Sequence, residues 1–190
     1  PPPRILSIAG TDSSGGAGIQ ADIKTIAMLG GYGMAAITAI TAQNTLGVQG
    51  IPPLTGDFVV EQIESCLTDI GIDAIKLGML HDAGIVAAVG EYLGNAPEAR
   101  GVPIIHDPVM VSTSGARLLQ EDAVQSMRDT LFPLASLLTP NLPELEILAG
   151  HSLSDTGAII EAALDIAKAY DCHVLAKGGH TQDARGIDIL

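Results

Sequence analysis

Six short clusters hold most of the side chains in this sequence that could do chemistry. They are Gly10-Thr11-Asp12-Ser13-Ser14-Gly15-Gly16, Gln43-Asn44, Gly78-Met79-Leu80, His106-Asp107-Pro108-Val109-Met110, Thr139-Pro140-Asn141-Leu142-Pro143-Glu144 and Lys177-Gly178-Gly179-His180. Carboxylates such as Asp107 and Glu144 are hard oxygen donors suited to a cation such as Mg²⁺. The amides of Gln43 and Asn141 donate and accept at once. Lys177 is a point charge beside flexible backbone amides, which suits a phosphate, although a lone lysine also serves as a solvated surface group. Turn chemistry accounts for the glycines and prolines of these clusters. It accounts less well for Asp12, Gln43, Asp107, Asn141, Glu144 and Lys177 sharing them.

Each cluster follows a run that reads as a strand. The runs are Ile5–Ala9, Ala36–Thr41, Ala74–Leu77, Val102–Ile105, Ala135–Leu138 and His173–Ala176, and Gly186–Leu190 begins to resemble one more. Pro103 argues for an early or edge position in the fourth. Helical spacing lies between them. Ile19–Leu29 reads as a helix stopped at Gly30-Gly31. Val59, Ile63, Leu67 and Ile70 recur on one face after Asp57, a candidate N-cap. Ile85, Val86, Val89 and Leu93 mark a third helix, Val124, Met127 and Leu131 a fourth, and Ile159, Ile160, Ala163, Leu164 and Ala167 another. Such alternation predicts an α/β fold with a mostly parallel sheet. Strands of a parallel sheet point one way, so the six clusters are expected along one edge, where open α/β sheets bind ligands.

Gly16-Ala17-Gly18-Ile19-Gln20-Ala21 matches G-x-G-x-x-A between a strand and a helix. A dinucleotide site also needs an acid about 20 residues on. No Asp or Glu occurs between Asp22 and Asp57, which excludes that reading, and no Gly-Lys-Ser/Thr follows to make a phosphate loop. What remains is a loop for close backbone approach before a helix N-terminus, or tight strand–helix packing at Gly16 and Gly18; both can hold together. Asn141 and Glu144 are three apart, so they share a helix face. Alone, Asn141 reads as an N-cap and Glu144 as a favourable first-turn charge. Beside Asp107, a metal reading stands on equal terms. His106 and His180 fall within the clusters and are open to ligand contact, whereas His81, His151 and His173 read as structural or exposed. No G-x-S-x-G elbow is present.

The composition narrows the partners. The chain has 190 residues, a formal net charge of −13 and no Trp, so its core is aliphatic and its global field repels nucleic acid and anionic membranes. Between Lys24 and Asp57 there is no charged residue, yet polar and glycine residues interrupt the stretch before about 18 apolar positions accumulate. A buried strand flanked by loops fits it better than a membrane span. Cys66 and Cys172 lie far apart and read as reduced thiols of a cytoplasmic protein. The start, Pro1-Pro2-Pro3-Arg4, does not read as a signal peptide.

Six motifs, in order and spanning almost the whole chain, resemble the phosphomethylpyrimidine kinases of thiamine biosynthesis. They are AGTDSSGGAGIQAD (Ala9–Asp22), ITAITAQNTLGVQ (Ile37–Gln49), KLGML (Lys76–Leu80), DPVMVSTSG (Asp107–Gly115), LTPNLPE (Leu138–Glu144) and KGGH (Lys177–His180). The resemblance implies one ribokinase-like three-layer α/β sandwich over 1–190. It implies ATP-dependent phosphorylation of a hydroxymethylpyrimidine and then of its monophosphate. By the same carry-over Gln43 meets the aminopyrimidine edge, and Asp22, Ala17, Met79 and Val109 line that pocket. Asp107 and Glu144 serve Mg²⁺, and Asn141 and Lys177 the nucleotide phosphates. A homodimer would be in keeping with the family. Its members continue to a Gly-Thr-Gly-Cys segment that supplies an anion hole and the proposed general base. The present sequence ends at Leu190 without that segment. The domain is therefore expected to be C-terminally partial, with its base beyond Leu190, exposed apolar surface and no turnover as a 190-residue chain. The rivals are a pyridoxal or pyridoxine kinase and a non-catalytic pyrimidine-binding module.

Overall fold

The computed structural model describes residues 1–110, 121–178 and 187–190. Among the described residues, six parallel strands form the main sheet: β1 (Arg4–Ala9), β2 (Tyr32–Ile37), β5 (Ala74–Leu77), β6 (Ile104–His106), β7 (Leu137–Leu138) and β8 (His173–Val174), in the order β2-β1-β5-β6-β7-β8. A separate antiparallel hairpin pairs β3 (Ala42–Asn44) with β4 (Gly47–Gly50). The helices are α1 (Gly18–Met28), α2 (Gly56–Asp69), α3 (Ala83–Asn95), α4 (Glu121–Thr130), α5 (Leu142–Ala149) and α6 (Thr156–Tyr170).

Right-handed crossovers set α1 on one face of the sheet and α2 to α6 on the other. The strand burial follows. Ile75, Leu77, Ile104, His106, Leu138 and Val174 are buried under the larger helical layer. Their alternate neighbours Lys76, Ile105 and Leu137 are only half-buried, because α1 covers just β1 and β2. The core is aliphatic, as composition requires, around Leu6, Ile8, Ile63, Ile75, Leu77 and Ile85, with Phe132 its one buried large aromatic among the described residues.

Helix starts are capped by short polar side chains. Thr55 accepts from the Phe58 amide at 3.3 Å, Asp82 from Ile85 at 2.9 Å and Asp155 from Ala158 at 2.9 Å. Asp57, expected as the cap of α2, instead sits in its first turn, where a carboxylate favours the helix dipole. The second strand begins four residues earlier than its β-branched run suggests and ends at Ile37, because Tyr32-Gly33-Met34 pairs with β1 despite its glycine. The uncharged stretch beyond it forms the hairpin, whose residues are exposed or half-buried rather than buried. In 187–190 there is no strand, only a bridge from Ile189 to Ala176. No described helix is long and apolar enough to cross a membrane.

Candidate active site

Every described strand of the main sheet hands its chain to a loop at the same edge, and the ladders run one or more residues past the strands. Gly78 N–H donates to Ile8 O at 2.9 Å, Asp107 N–H to Leu77 O at 2.9 Å, Thr139 N–H to His106 O at 3.0 Å and Lys177 N–H to Pro140 O at 2.9 Å. The order reverses between β1 and β5, the switch point where a crevice is built into such folds.

At the β6–β7–β8 end, Lys177 Nζ donates to Asp107 Oδ1 at 2.7 Å, and both side chains are partly open to solvent. A bridge between Asn141 and Lys177 holds their two loops side by side. Asn141 and Glu144 form a reciprocal capping box: Asn141 Oδ1 accepts from the Glu144 amide at 2.9 Å, and Glu144 Oε2 accepts from the Asn141 amide at 2.9 Å. Glu144 Oε1 accepts from the Met110 amide at 3.3 Å, tying the β6 loop to α5. Burial pushes the Glu144 carboxyl above its usual range; the Asn141 amide opposes that rise, nearby Asp107 adds to it, and Lys177 and the Met110 amide counter it. Both Glu144 oxygens are therefore engaged by backbone amides. The capping role of this pair, one of two readings open in the sequence, is the one its hydrogen bonds carry. Among the described residues, Asp107 Oδ2 accepts no hydrogen bond and Lys177 Nζ donates only to Asp107.

The glycine-rich loop is organised by Asp12, which is buried. Its carboxylate accepts from the Ser14 amide and hydroxyl at 2.9 and 2.8 Å, the Gly16 amide at 2.9 Å and the Ala17 amide at 2.8 Å. Burial works to raise the Asp12 carboxyl, but these hydrogen bonds outweigh it and hold the group below its ordinary range. The amides of Gly16 and Ala17 are thus taken by a side chain. Gly18 is left-handed at φ +56°, and a Cβ there would meet Gly10 O at 2.5 Å, so this glycine serves strand–helix packing. Gly16 has no such tight neighbour.

The same loop holds the hairpin. Ser13 Oγ donates to Gln43 O at 2.7 Å and accepts from the Gln43 amide at 2.8 Å, and Thr41 donates twice to Thr11, from its amide to Oγ1 at 2.8 Å and from its hydroxyl to the carbonyl at 2.6 Å. Gln43 is anchored through its backbone, and its side-chain amide makes no hydrogen bond among the described residues. Met79 packs against Gly10, where any Cβ would collide with its Cε, and its carbonyl accepts from the Gly10 amide at 3.1 Å. Ala17 is exposed before α1 and Val109 half-buried after β6. Asp22, on α1, accepts at Oδ2 from Ser7 Oγ at 2.6 Å and Lys76 Nζ at 2.8 Å.

His106 belongs to β6 rather than to a loop. It is fully buried, edge-on to Phe132 at 5.4 Å, and neither ring nitrogen has a partner among the described residues. Burial, reinforced by the Lys76 charge, pushes its imidazole down to about 3. Ligand contact by His106 is thereby excluded in this arrangement. His180 and the part of the fourth motif beyond Met110 lie outside the described residues, and no acid–His–Cys cluster fit for a metal occurs among the described ones.

Residues 12–190 match the phosphomethylpyrimidine kinase family. The chain belongs to that family. It is 44% identical over 196 residues to the hydroxymethylpyrimidine/phosphomethylpyrimidine kinase of Mycobacterium leprae, covering all of this chain and 70% of that one. It is 45% identical over 186 residues to the thiamine biosynthesis bifunctional protein of Geobacter sulfurreducens, covering 98% of this chain and only 37% of that one. The phosphomethylpyrimidine kinase structure of Clostridium difficile superposes with a TM-score of 0.88 at 40% identity, over 98% of this chain and 79% of that one. The Staphylococcus aureus pyridoxal kinase, solved with AMP-PCP and pyridoxal, superposes with a TM-score of 0.79 at 35% identity, over 95% of this chain and 63% of that one. The ribokinase-like fold expected from the motifs is the fold of these kinases, and the chain spans about a quarter to two fifths of the multifunctional thiamine-biosynthesis relatives it matches.

Site residues that sequence reasoning passed over are Ser7, Thr11, Ser13 and Lys76. Lys76 carried a signal: an ammonium inside a short sheet strand needs a partner. The hydroxyls carried none, because their partners are backbone groups distant in sequence.

Proposed function

We propose that this chain is the unit that transfers the γ-phosphoryl group of ATP to the hydroxymethyl group of 4-amino-5-hydroxymethyl-2-methylpyrimidine, and then to its monophosphate, in thiamine biosynthesis. The observation that carries the reading is the convergence of the Asp107–Lys177 pair, the Asn141–Glu144 loop and the Gln43 hairpin at one sheet edge. Phosphoryl transfer needs chiefly positioning and charge stabilisation. Lys177 offers a cation to the phosphates, with Asn141 beside it. The free amide of Gln43 can donate and accept along an aminopyrimidine edge. Ala17, Met79, Val109 and Asp22 supply the rest of that pocket.

The donor set at Asp107 fits Mg²⁺: a carboxylate oxygen that accepts no hydrogen bond among the described residues, with the buried Glu144 carboxylate close enough to feel its charge, suits a hard cation that keeps most of its waters. When bound, Mg²⁺ would neutralise phosphate charge. Asp107 would hold it directly and Glu144 would act from behind. No residue named here is assigned as general base. Free Cys66 and Cys172 accord with a reducing, cytoplasmic setting, and a homodimer accords with the family.

The test is ADP release by the full-length protein that carries this chain, with ATP and Mg²⁺, offered the pyrimidine alcohol or pyridoxal, with the product weighed by mass spectrometry. Pyrimidine-dependent ADP and one added phosphoryl group are expected. Efficient use of pyridoxal with the pyrimidine ignored would replace this reading by pyridoxal kinase. Pyrimidine binding without turnover would replace it by a binding module.

A further inference from the structure

Beneath the crevice at the switch point lies a small polar cluster of which the site assignments use only Asp22. Ser7 on β1 and Lys76 on β5 are register partners, so their side chains stand together on the α1 face of the sheet. Both reach the same oxygen, Oδ2 of Asp22 on α1, at 2.6 and 2.8 Å. Asp22 Oδ1 accepts nothing among the described residues. The Asp22 and Lys76 side chains are 19% and 27% exposed, so the pair is open on one side only.

The surroundings are cut to fit this cluster. A Cβ on Gly78 would lie 2.9 Å from Lys76 Nζ and 2.9 Å from the Ala9 Cβ. Gly78 directly follows β5, so the ammonium has climbed its own strand to the ligand-binding edge, and Gly78 and Ala9 leave room for it there. Gly18 lets α1 begin against Gly10 O, which brings Asp22, one helical turn on, down over the two strands. A surface ion pair needs none of this.

We propose that Lys76 and Ser7 are positioning residues for the pyrimidine: they fix Asp22 from below through one carboxylate oxygen, so that the other is presented as an acceptor to the ligand in the crevice. Two donors on one oxygen set the carboxylate's rotation, which either donor alone leaves loose. A carboxylate fixed in this way need not be ordered by the ligand, which removes a binding cost. The inference rests on the pyrimidine reading above.

The experiment is a double-mutant cycle on the dissociation constant of the pyrimidine alcohol, measured by calorimetry in the absence of nucleotide. Lys76→Met is expected to weaken binding at least tenfold in the Asp22 protein and less than twofold in an Asp22→Asn background. Lys76→Arg should restore part of the loss, and Ser7→Ala should give a smaller loss of the same pattern. The affinity for AMP-PCP should stay within twofold in every variant, which a general loosening of the fold would not allow. Equal losses from Lys76→Met in both backgrounds would overturn the inference, as would no loss in either. If Lys76→Met does not fold, Ser7→Ala alone decides by the same comparison. Failure of the unmutated protein to bind the pyrimidine would instead overturn the proposed function.

Discussion

Mild acidification should destabilise this protein in good part through one buried ring. His106 titrates near 6.5 when exposed and is held at about 3 in the fold, first by burial and then by the Lys76 charge. Below pH 6.5 the unfolded chain binds a proton that the folded chain refuses. The stability tied to neutral His106 is therefore complete above that value and is lost as pH falls toward 3, at about 1.4 kcal/mol per pH unit. Between about pH 7 and about pH 5 the loss comes to roughly 2 kcal/mol. For a chain of this length that is roughly 4–8 °C in Tm. His106→Leu removes the proton site at similar volume and keeps an apolar contact with Phe132. Urea unfolding of both proteins at the two pH values isolates the histidine, because every other titrating group, the raised Glu144 included, is common to both. The unmutated protein should lose roughly 2 kcal/mol more than His106→Leu. Parallel losses would refute the argument, since they would mean that the ring accepts its proton in the folded state.

Four further outcomes follow from particular contacts. Gly18→Ala meets Gly10 O and carries a left-handed φ, so it should cost about 2 kcal/mol or more in urea unfolding. Glu144→Ala strands the amides of Met110 and Asn141 in a buried setting and should lower stability by about 2–4 kcal/mol, read as a fall in Tm. Gln43→Ala keeps the backbone clamp to Ser13, so pyrimidine affinity should fall by about 10- to 100-fold while Tm changes little; unchanged affinity would remove Gln43 from the pocket. Lys177→Met should lower kcat by roughly 10²- to 10³-fold with little change in pyrimidine affinity, measured by ADP release.

The strand and helix pattern was legible because burial writes itself as period. Ile75, Leu77, Ile104 and Leu138 are apolar for that reason, and the loops after them lie where a parallel sheet must put them. The hairpin was not legible. Ala42 to Gly50 has no buried face to impose alternation, and its shape comes from Thr11 and Ser13, about 30 residues away, through bonds to backbone that any sequence offers. His106 was misread for the opposite reason. Its neighbour Asp107 is a loop residue, but the ladder continues one position further than the apolar run, so the ring is drawn into the core. Residue type names the chemistry available; which side of a strand's last residue it falls on decides whether that chemistry can be used.

The same distinction bears on how so acidic a chain could present the proposed phosphate site. Asp12 spends its charge on four donors of its own loop, Glu144 on two amides, and Asp22 on Ser7 and Lys76. These three carboxylates are thus committed to positioning backbone or neighbouring side chains, and Asp107 already carries Lys177. Charge near the crevice is compensated locally, so the formal −13 acts as a distant, salt-screened field rather than a barrier at the site. At the proposed site an anionic ligand would meet the Asp107–Lys177 pair, whose charges cancel, while the field of charges more than a Debye length away is screened.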